Sequence, residues 1–494
     1  MLRTILAATT ALVAFPALAQ DIPQAGNAWY TDAQAAIEAR IATQPNTNRA
    51  KNVIILIADG NGVATNLVTR LWVGQQKGGY GDENVLAHEM FPHLGLAKTY
   101  NTNAQTPDSA GTATAIMAGV KTKAGVVGVD ETVKRGDCSG VKAGSVASIA
   151  EILSAQGKAV GIVSTARLTH ATPSAAYAHS ADRNFEDNSG LPEGCEIPDI
   201  ASQLLDAMKA GTIDLAMGGG RRHFLPKDVT DEEGKGGKRT DGRNLVEEAK
   251  AAGIGYVWDD KTAMASNKAL PMLGLFESSH MKYEYDRTGE PSLAEMTEMA
   301  INALSGNEGG FFLQIEAGRV DHANHAGNLH RTVTDGAAFE AAVAKAAAMT
   351  STDDTLIIVT ADHDHVMALP GYCGRGAPVT GLCLEIDNAG EKHKDTPMLA
   401  KDGKPYTVVV YANGAGSVLT KQDDGTYSGT RPLVTQAEAM DPDYTQQALI
   451  PMSSETHSAV DVAIYARGPW AHLIDGTVEQ NYIFHVMMHA ATAK

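Results

Sequence analysis

The chain has 494 residues, enough for a large core or for two to three ordinary domains. Its 58 acidic residues against 40 Lys and Arg leave a formal charge of −18, which argues against binding nucleic acid or an anionic membrane surface. Aromatic residues make up 5%, too few for a stacking surface, and 49 glycines on an Ala-rich background suit a closely packed α/β enzyme better than a disordered or fibrous chain.

Residues 1–19 read as a secretory signal. Arg3 supplies the positive start, Ile5 to Leu18 is almost wholly apolar, and Ala17-Leu18-Ala19 is the small-x-small pattern cleaved after Ala19. The apolar run is too short to cross a bilayer, and no later stretch is long and apolar enough. The expectation is an exported chain without a membrane anchor, periplasmic or extracellular.

From there short apolar runs alternate with helical patterns. Asn52 to Ala58, Ala159 to Ser164, Asp214 to Met217, Phe311 to Ile315, Thr355 to Thr360 and Val462 to Tyr465 predict buried strands. Between them Ser145 to Gln156, Ile200 to Lys209, Leu293 to Leu304 and Thr332 to Met349 predict helices. The alternation predicts an α/β fold, a mostly parallel central sheet sandwiched between helices, with ligands gathered at the carboxyl ends of its strands. Thr230 to Asn244, rich in Gly and charge, reads as a surface loop. The polar stretch of residues 370–452 reads as an insertion between two elements of one sheet, within a single catalytic domain of residues 20–494.

Cys138, Cys195, Cys373 and Cys383 make an even count in an exported chain, so two disulfides are expected from three possible pairings. The closeness of Cys373 to Cys383 favours that pair, with Cys138–Cys195 as the other. A thiolate metal site would need paired C-x-x-C spacings, and there are none.

Carboxylates and histidines recur where the predicted strands end. Asp59 follows Asn52 to Ala58 and precedes Gly60-Asn61-Gly62; by itself this is an ordinary Asp-Gly turn. The placement repeats at Glu316 with Asp321 and His325, at Asp362 with His363, and at His457 before the strand-like run Val460 to Arg467. These are nitrogen and oxygen donors that suit zinc. Asp321 and His325 are four apart, on one face if the segment is helical. In Asp362-His363-Asp364-His365 the adjacent pair projects differently, toward a second ion or outward to a hydrogen-bond partner.

The nucleophile candidate is Ser109. Thr106 reads as the helix N-cap and Pro107 as the first helical residue, which puts Ser109 in the first turn, where the helix dipole favours an anion. There is no G-x-S-x-G elbow, and a serine hydroxyl needs a base or a metal, so the acid and imidazole wealth points to metal activation. Thr172, in Thr169-His170-Ala171-Thr172-Pro173, offers a hydroxyl to a hard cation beside Asp59 and Glu316. Arg183 offers a planar fork for two phosphate oxygens.

Together these segments resemble the alkaline phosphatases, in the family's order and over about 400 residues. The carrying motifs are Asp59-Gly60, Asp108-Ser109-Ala110, Thr169 to Pro173, Glu316 to His325, Thr360-Ala361-Asp362-His363 and Thr456-His457. The resemblance implies hydrolysis of phosphate monoesters through a phosphoserine at Ser109, two zinc ions, one magnesium and a homodimer. Asp321, His325 and His457 would hold one zinc; Asp59, Asp362 and His363 would hold the other, which Ser109 joins during reaction. Asp59, Thr172 and Glu316 would hold magnesium, and Arg183 would orient the phosphate. Enteric bacterial members carry Asp at the His170 position and Lys at the His322 position, whereas animal and some marine bacterial members carry histidine. Both residues would then lie just outside the metal ligands. The polar insertion would match the family's variable crown.

Within enzymes the rivals are a phosphodiesterase, a phosphonate monoesterase or a sulfatase of the same superfamily. Sulfatases use a C/S-x-P-x-R context, and here Ser109 is followed by Ala110-Gly111-Thr112. A non-catalytic metal or phosphate binder needs ligands but no serine at a helix start.

Overall fold

The computed structural model describes residues 22–266 and 269–493. The expected signal segment, residues 1–19, lies outside them. A first unit, up to residue 44, holds the helix Ala28–Ala42, whose Asn27 cap accepts from Trp29 N.

The second unit is built on a 10-stranded sheet. In chain order its strands are β1 (Asn52–Ala58), β2 (His93–Lys98), β3 (Ala159–Arg167), β4 (Leu215–Gly219), β5 (Gly255–Val257), β6 (Met272–Leu275), β7 (Phe311–Ala317), β8 (Thr355–Thr360), β9 (Val462–Arg467) and β10 (Gly476–Glu479). Their spatial order is β10-β2-β9-β8-β1-β7-β3-β4-β6-β5. Within this sheet only β9 runs against its neighbours, pairing antiparallel with both β2 and β8.

The central strands are apolar on both faces because both faces are covered. Val53, Ile55 and Ile57 of β1 pack into the core on one side, and Ile54, Leu56 and Ala58 into the core on the other. The helix Ile200–Lys209 packs on the first side and Leu293–Leu304 on the second.

Several elements differ from the sequence reading: the strands expected over Ala159 to Ser164, Asp214 to Met217, Phe311 to Ile315 and Val462 to Tyr465 all run on by two or three residues. The helix expected over Ser145 to Gln156 spans Ile149–Ala155, because Ser148 and Glu151 form a reciprocal capping box that starts it there. The helix expected from Thr332 begins at Leu329, capped by Asn328. Residues 230–244 carry no helix or strand, but they are not simply surface: Arg239 is fully buried and forks onto Asp199 at 2.9 Å through both amino groups.

Between β8 and β9, adjacent in the sheet, the chain leaves to build small pairings of its own. Met367–Ala368, Val410–Gly414 and Ala448–Pro451 form a 3-stranded sheet, and Leu384–Ile386 pairs with His393–Pro397. Disulfides join Cys373 to Cys383 in this excursion and Cys138 to Cys195 elsewhere. Among the described residues no helix is long and apolar enough to cross a membrane.

Candidate active site

The carboxyl ends of β1, β7 and β8 lie side by side, and so do the acids they carry. Glu316 sits within β7 rather than after it, level with Ile57 of β1 and Ser164 of β3. Asp59 follows β1 directly. Gly60 takes φ +72°, and a Cβ there would lie 2.4 Å from the His365 ring, so the turn after Asp59 requires glycine. Gly60 N donates to Asp362 Oδ1 at 3.0 Å, locking the β1 and β8 ends together.

Ser109 is the first residue of the helix Ser109–Ala118. The cap is Asp108, not Thr106, and Pro107 precedes the helix. Asp108 wins because its carboxylate has several donors to satisfy: Gly111 N at 3.1 Å, Gly125 N at 2.9 Å and Arg183 Nη1 at 3.2 Å. Ser109 Oγ lies 3.1 Å from His363 Nε2 and 3.5 Å from Asp59 Oδ1. His363 Nε2 is 3.3 Å from both Asp59 Oδ1 and Asp362 Oδ2, and all three residues are buried. Thr172 Oγ1 reaches Asp59 Oδ2 at 3.4 Å, and Glu316, Asp59 and His170 bring ligand atoms within 4.8 Å of one another.

Beside this lies a second cluster. Asp321 and His325 share a helix face, as their spacing requires, with Asp321 Oδ1 3.4 Å from His325 Nε2 and 3.3 Å from His457 Nε2.

The residues fit metal ions. His325 Nδ1 faces Glu455 O at 2.6 Å and His457 Nδ1 faces Pro107 O at 2.8 Å. A carbonyl only accepts, so each neutral ring carries its proton on Nδ1 and turns a lone pair inward from Nε2. These two Nε2 atoms are 3.1 Å apart, an arrangement that a shared cation stabilises and that the bare rings resist. The carboxylates say the same. Burial raises Asp59 well above the ordinary carboxylate range, with repulsion from Asp362, Asp321 and Glu316 added. Burial chiefly pushes Glu316 up to about 8, and its Oε1 has no hydrogen-bond partner. A bound cation relieves both effects.

Against this geometry stand the relatives. The alkaline phosphatase family model matches residues 50–493. An alkaline phosphatase of Gadus morhua is 41% identical over 483 residues, covering 94% of this chain and 96% of the relative. The chain belongs to the alkaline phosphatase family. The tissue-nonspecific alkaline phosphatase of Gallus gallus is 42% identical over 484 residues, covering 94% of this chain and 89% of its own length. The solved alkaline phosphatase of Thermus thermophilus shares the fold, with a TM-score of 0.64 at 24% identity over 90% of this chain and 92% of that one. That of the Antarctic bacterium TAB5 does so at 0.60 and 23%, over 90% of this chain and 99% of that one. As a member of this family the chain is a metal-dependent hydrolase of phosphate monoesters.

Arg183, His170 and His322 line the same cleft as Ser109, His325 and His457. Arg183 donates to His170 Nε2 at 3.0 Å, and Arg319 donates to His322 Nδ1 at 3.2 Å. Two residues escaped the sequence reading. His365 sits between Asp321 Oδ1, at 2.8 Å, and Glu455 Oε2, at 2.6 Å. Despite its burial, the hydrogen bonds to these two acids raise it to about 10, so it is an imidazolium that orients Asp321. Glu455 thus touches His365 through its side chain and His325 through its carbonyl. The signal for His365 was the Asp-His-Asp-His alternation, read only as far as His363.

Proposed function

We propose that Ser109 is the nucleophile of this phosphatase, served by two zinc ions and one magnesium. The observation that carries the reading is a serine hydroxyl at a helix start, 3.1 Å from His363 and 3.5 Å from Asp59. Asp321, His325 and His457 would hold one zinc and Asp59, Asp362 and His363 the other; the all-oxygen set of Asp59, Thr172 and Glu316 suits magnesium. Cations bound there lower the pKa of hydroxyl and water and offset charge on the entering and leaving oxygens.

The chain's own part is positioning. Ser109 Oγ bonds to phosphorus as the bond to the leaving oxygen breaks; the seryl proton goes to solvent, and the leaving oxygen takes one up. Water then attacks the phosphoserine, freeing phosphate and restoring the hydroxyl. Arg183 holds two non-bridging oxygens, and the helix N-terminus faces their charge. Asp108, one residue before the nucleophile, keeps Arg183 aimed at this point.

The remaining readings belong to the same proposal. Residues 20–494 form one catalytic domain with a crown-like insertion at about 370–452. Exposed Leu433, Leu449 and Ile450 in that insertion support a homodimer built there. Two disulfides support export to the periplasm or beyond.

The test is phosphate release from p-nitrophenyl phosphate at alkaline pH by native protein, chelated protein and Ser109→Ala. Activity should vanish on chelation, return with zinc plus magnesium, and fall by at least about a thousandfold in the variant. A variant as active as the native protein would remove Ser109 from the role.

A further inference from the structure

Three imidazoles meet behind Arg183. The ring centroids of His170 and His280 are 5.2 Å apart, edge to face; those of His170 and His322 are 5.5 Å apart, and those of His280 and His322 4.0 Å. His280 comes from the loop after β6, far in sequence from the other two. Its backbone surroundings are fixed: Gly220 N donates to Ser279 O at 2.7 Å, and Met281 N to Thr165 O at 3.1 Å. The loop is thus tied to the ends of β3 and β4.

One residue clasps the ring. Arg167 donates its backbone N–H to His280 Nδ1 at 3.2 Å and brings its guanidinium against Nε2. The rest of that guanidinium is forked onto Glu186, at 2.7 and 2.8 Å. A neutral imidazole accepts at one nitrogen only, so one of these two groups bonds the ring of His280 and the other packs against it.

His170 is held differently. Its Nε2 accepts from Arg183 Nη2 at 3.0 Å, while its Nδ1 is buried without a hydrogen-bond partner. No second hydrogen bond fixes this ring, whose remaining neighbours are the Asp59 and Glu316 carboxylates, within 4.8 Å, and the rings of His280 and His322 packed against it. The other end of Arg183 is tied to Asp108, which is itself bound to main-chain amides.

We infer that His280 is a positioning residue for phosphate binding, acting through His170 on the guanidinium of Arg183. It rests on the reading of Arg183 as the residue that holds phosphate. Arg183 meets the same oxygens in substrate, transition state and product, so a loosened Arg183 weakens all three alike. The signature is a shared rise in KM and in the inhibition constant of phosphate, with kcat little changed.

The experiment uses the full chain saturated with zinc and magnesium, p-nitrophenyl phosphate as substrate and inorganic phosphate as inhibitor. It compares the native protein, His280→Ala, His280→Asn, Arg183→Ala and the His280→Asn/Arg183→Ala pair. Asn keeps an acceptor for the Arg167 N–H but removes the ring, so it reports even if the Ala variant does not fold. His280→Asn should raise KM and the phosphate inhibition constant together by about 3- to 10-fold with kcat within about twofold, and should add nothing once Arg183 is gone. If Arg183→Ala weakens phosphate binding and His280→Asn does not, the inference fails alone. It fails too if the His280 effect persists undiminished in the Arg183→Ala background, or if bound zinc drops instead. If Arg183→Ala leaves phosphate binding unchanged, the reading of Arg183 falls and the inference with it.

Discussion

Asp108 and Arg183 are joined at 3.2 Å, and the same carboxylate caps the helix that begins with Ser109. One oxygen serves Gly111 N and Asn101 Nδ2, the other Gly125 N and Arg183. Asn is as good a cap as Asp, but its amide would turn N–H groups toward the donors of Gly125 and Arg183. Asp108→Asn should therefore keep most of the thermal stability and still weaken phosphate inhibition severalfold. Asp108→Ala should do the same to phosphate and lose about 0.5–2 kcal/mol of stability besides. Melting curves and phosphate inhibition constants separate the two functions; equal melting of both variants would dissociate the carboxylate from the cap.

His365 predicts a metal effect at a distance. It donates to Asp321 and Glu455 as an imidazolium, which fixes one carboxylate oxygen and offsets its charge. His365→Ala removes the shortest of the contacts on Asp321 Oδ1 and leaves Glu455 Oε2 without its ring partner. Partners of this kind are worth about 10- to 100-fold in metal affinity or activity. Zinc titration of the chelated variant should show one site weakened by that order, with activity recovered at high zinc. Unchanged zinc affinity would remove His365 from the metal centre.

Much of this was legible because burial writes itself into composition. Asn52–Ala58 and Thr355–Thr360 lie under helices on both faces, so Val53 to Ala58 and Leu356 to Val359 are apolar without a break and the bounds read directly. The edge strand Gly476–Glu479 and its neighbour His93–Lys98 were missed, since their exposed positions interrupt the apolar signal. The acids at strand ends were readable by place. Asp108 over Thr106 was not, because the choice of cap turns on Gly125 and Arg183, partners distant in the chain. His365 and His280 escaped for the same reason: each is defined by residues that only folding brings beside it.

The disulfides should differ in weight. Cys138–Cys195 spans 57 residues and Cys373–Cys383 spans 10. Loop entropy gives about 4 kcal/mol for the first and about 3 kcal/mol for the second. Cys138→Ala/Cys195→Ala should accordingly lower the urea midpoint further than Cys373→Ala/Cys383→Ala, with metals saturating in both. The reverse order would place the main restraint in the insertion.

Asp335 makes stability depend on pH in an unusual direction. It lies buried on the helix Leu329–Met349, with Oδ2 accepting from Glu284 N at 3.1 Å. Burial, only partly countered by the charge of Arg319, pushes it up to about 8, against 3.8 for an ordinary Asp. Between these values the unfolded chain has released a proton that the folded protein keeps. The folded state binds more protons, so raising the pH favours unfolding through this window, and the loss levels off above about 8. Each pKa unit is worth about 1.4 kcal/mol, so the group costs a few kcal/mol at alkaline pH. Asp335→Asn keeps an acceptor for Glu284 N and has no proton to exchange. Its melting temperature relative to the native protein should rise steadily between pH 4 and pH 8, the interval set by the two values for Asp335. A difference that stays flat across that range would mean that Asp335 is ionised in the folded protein, with Arg319 supplying the compensation.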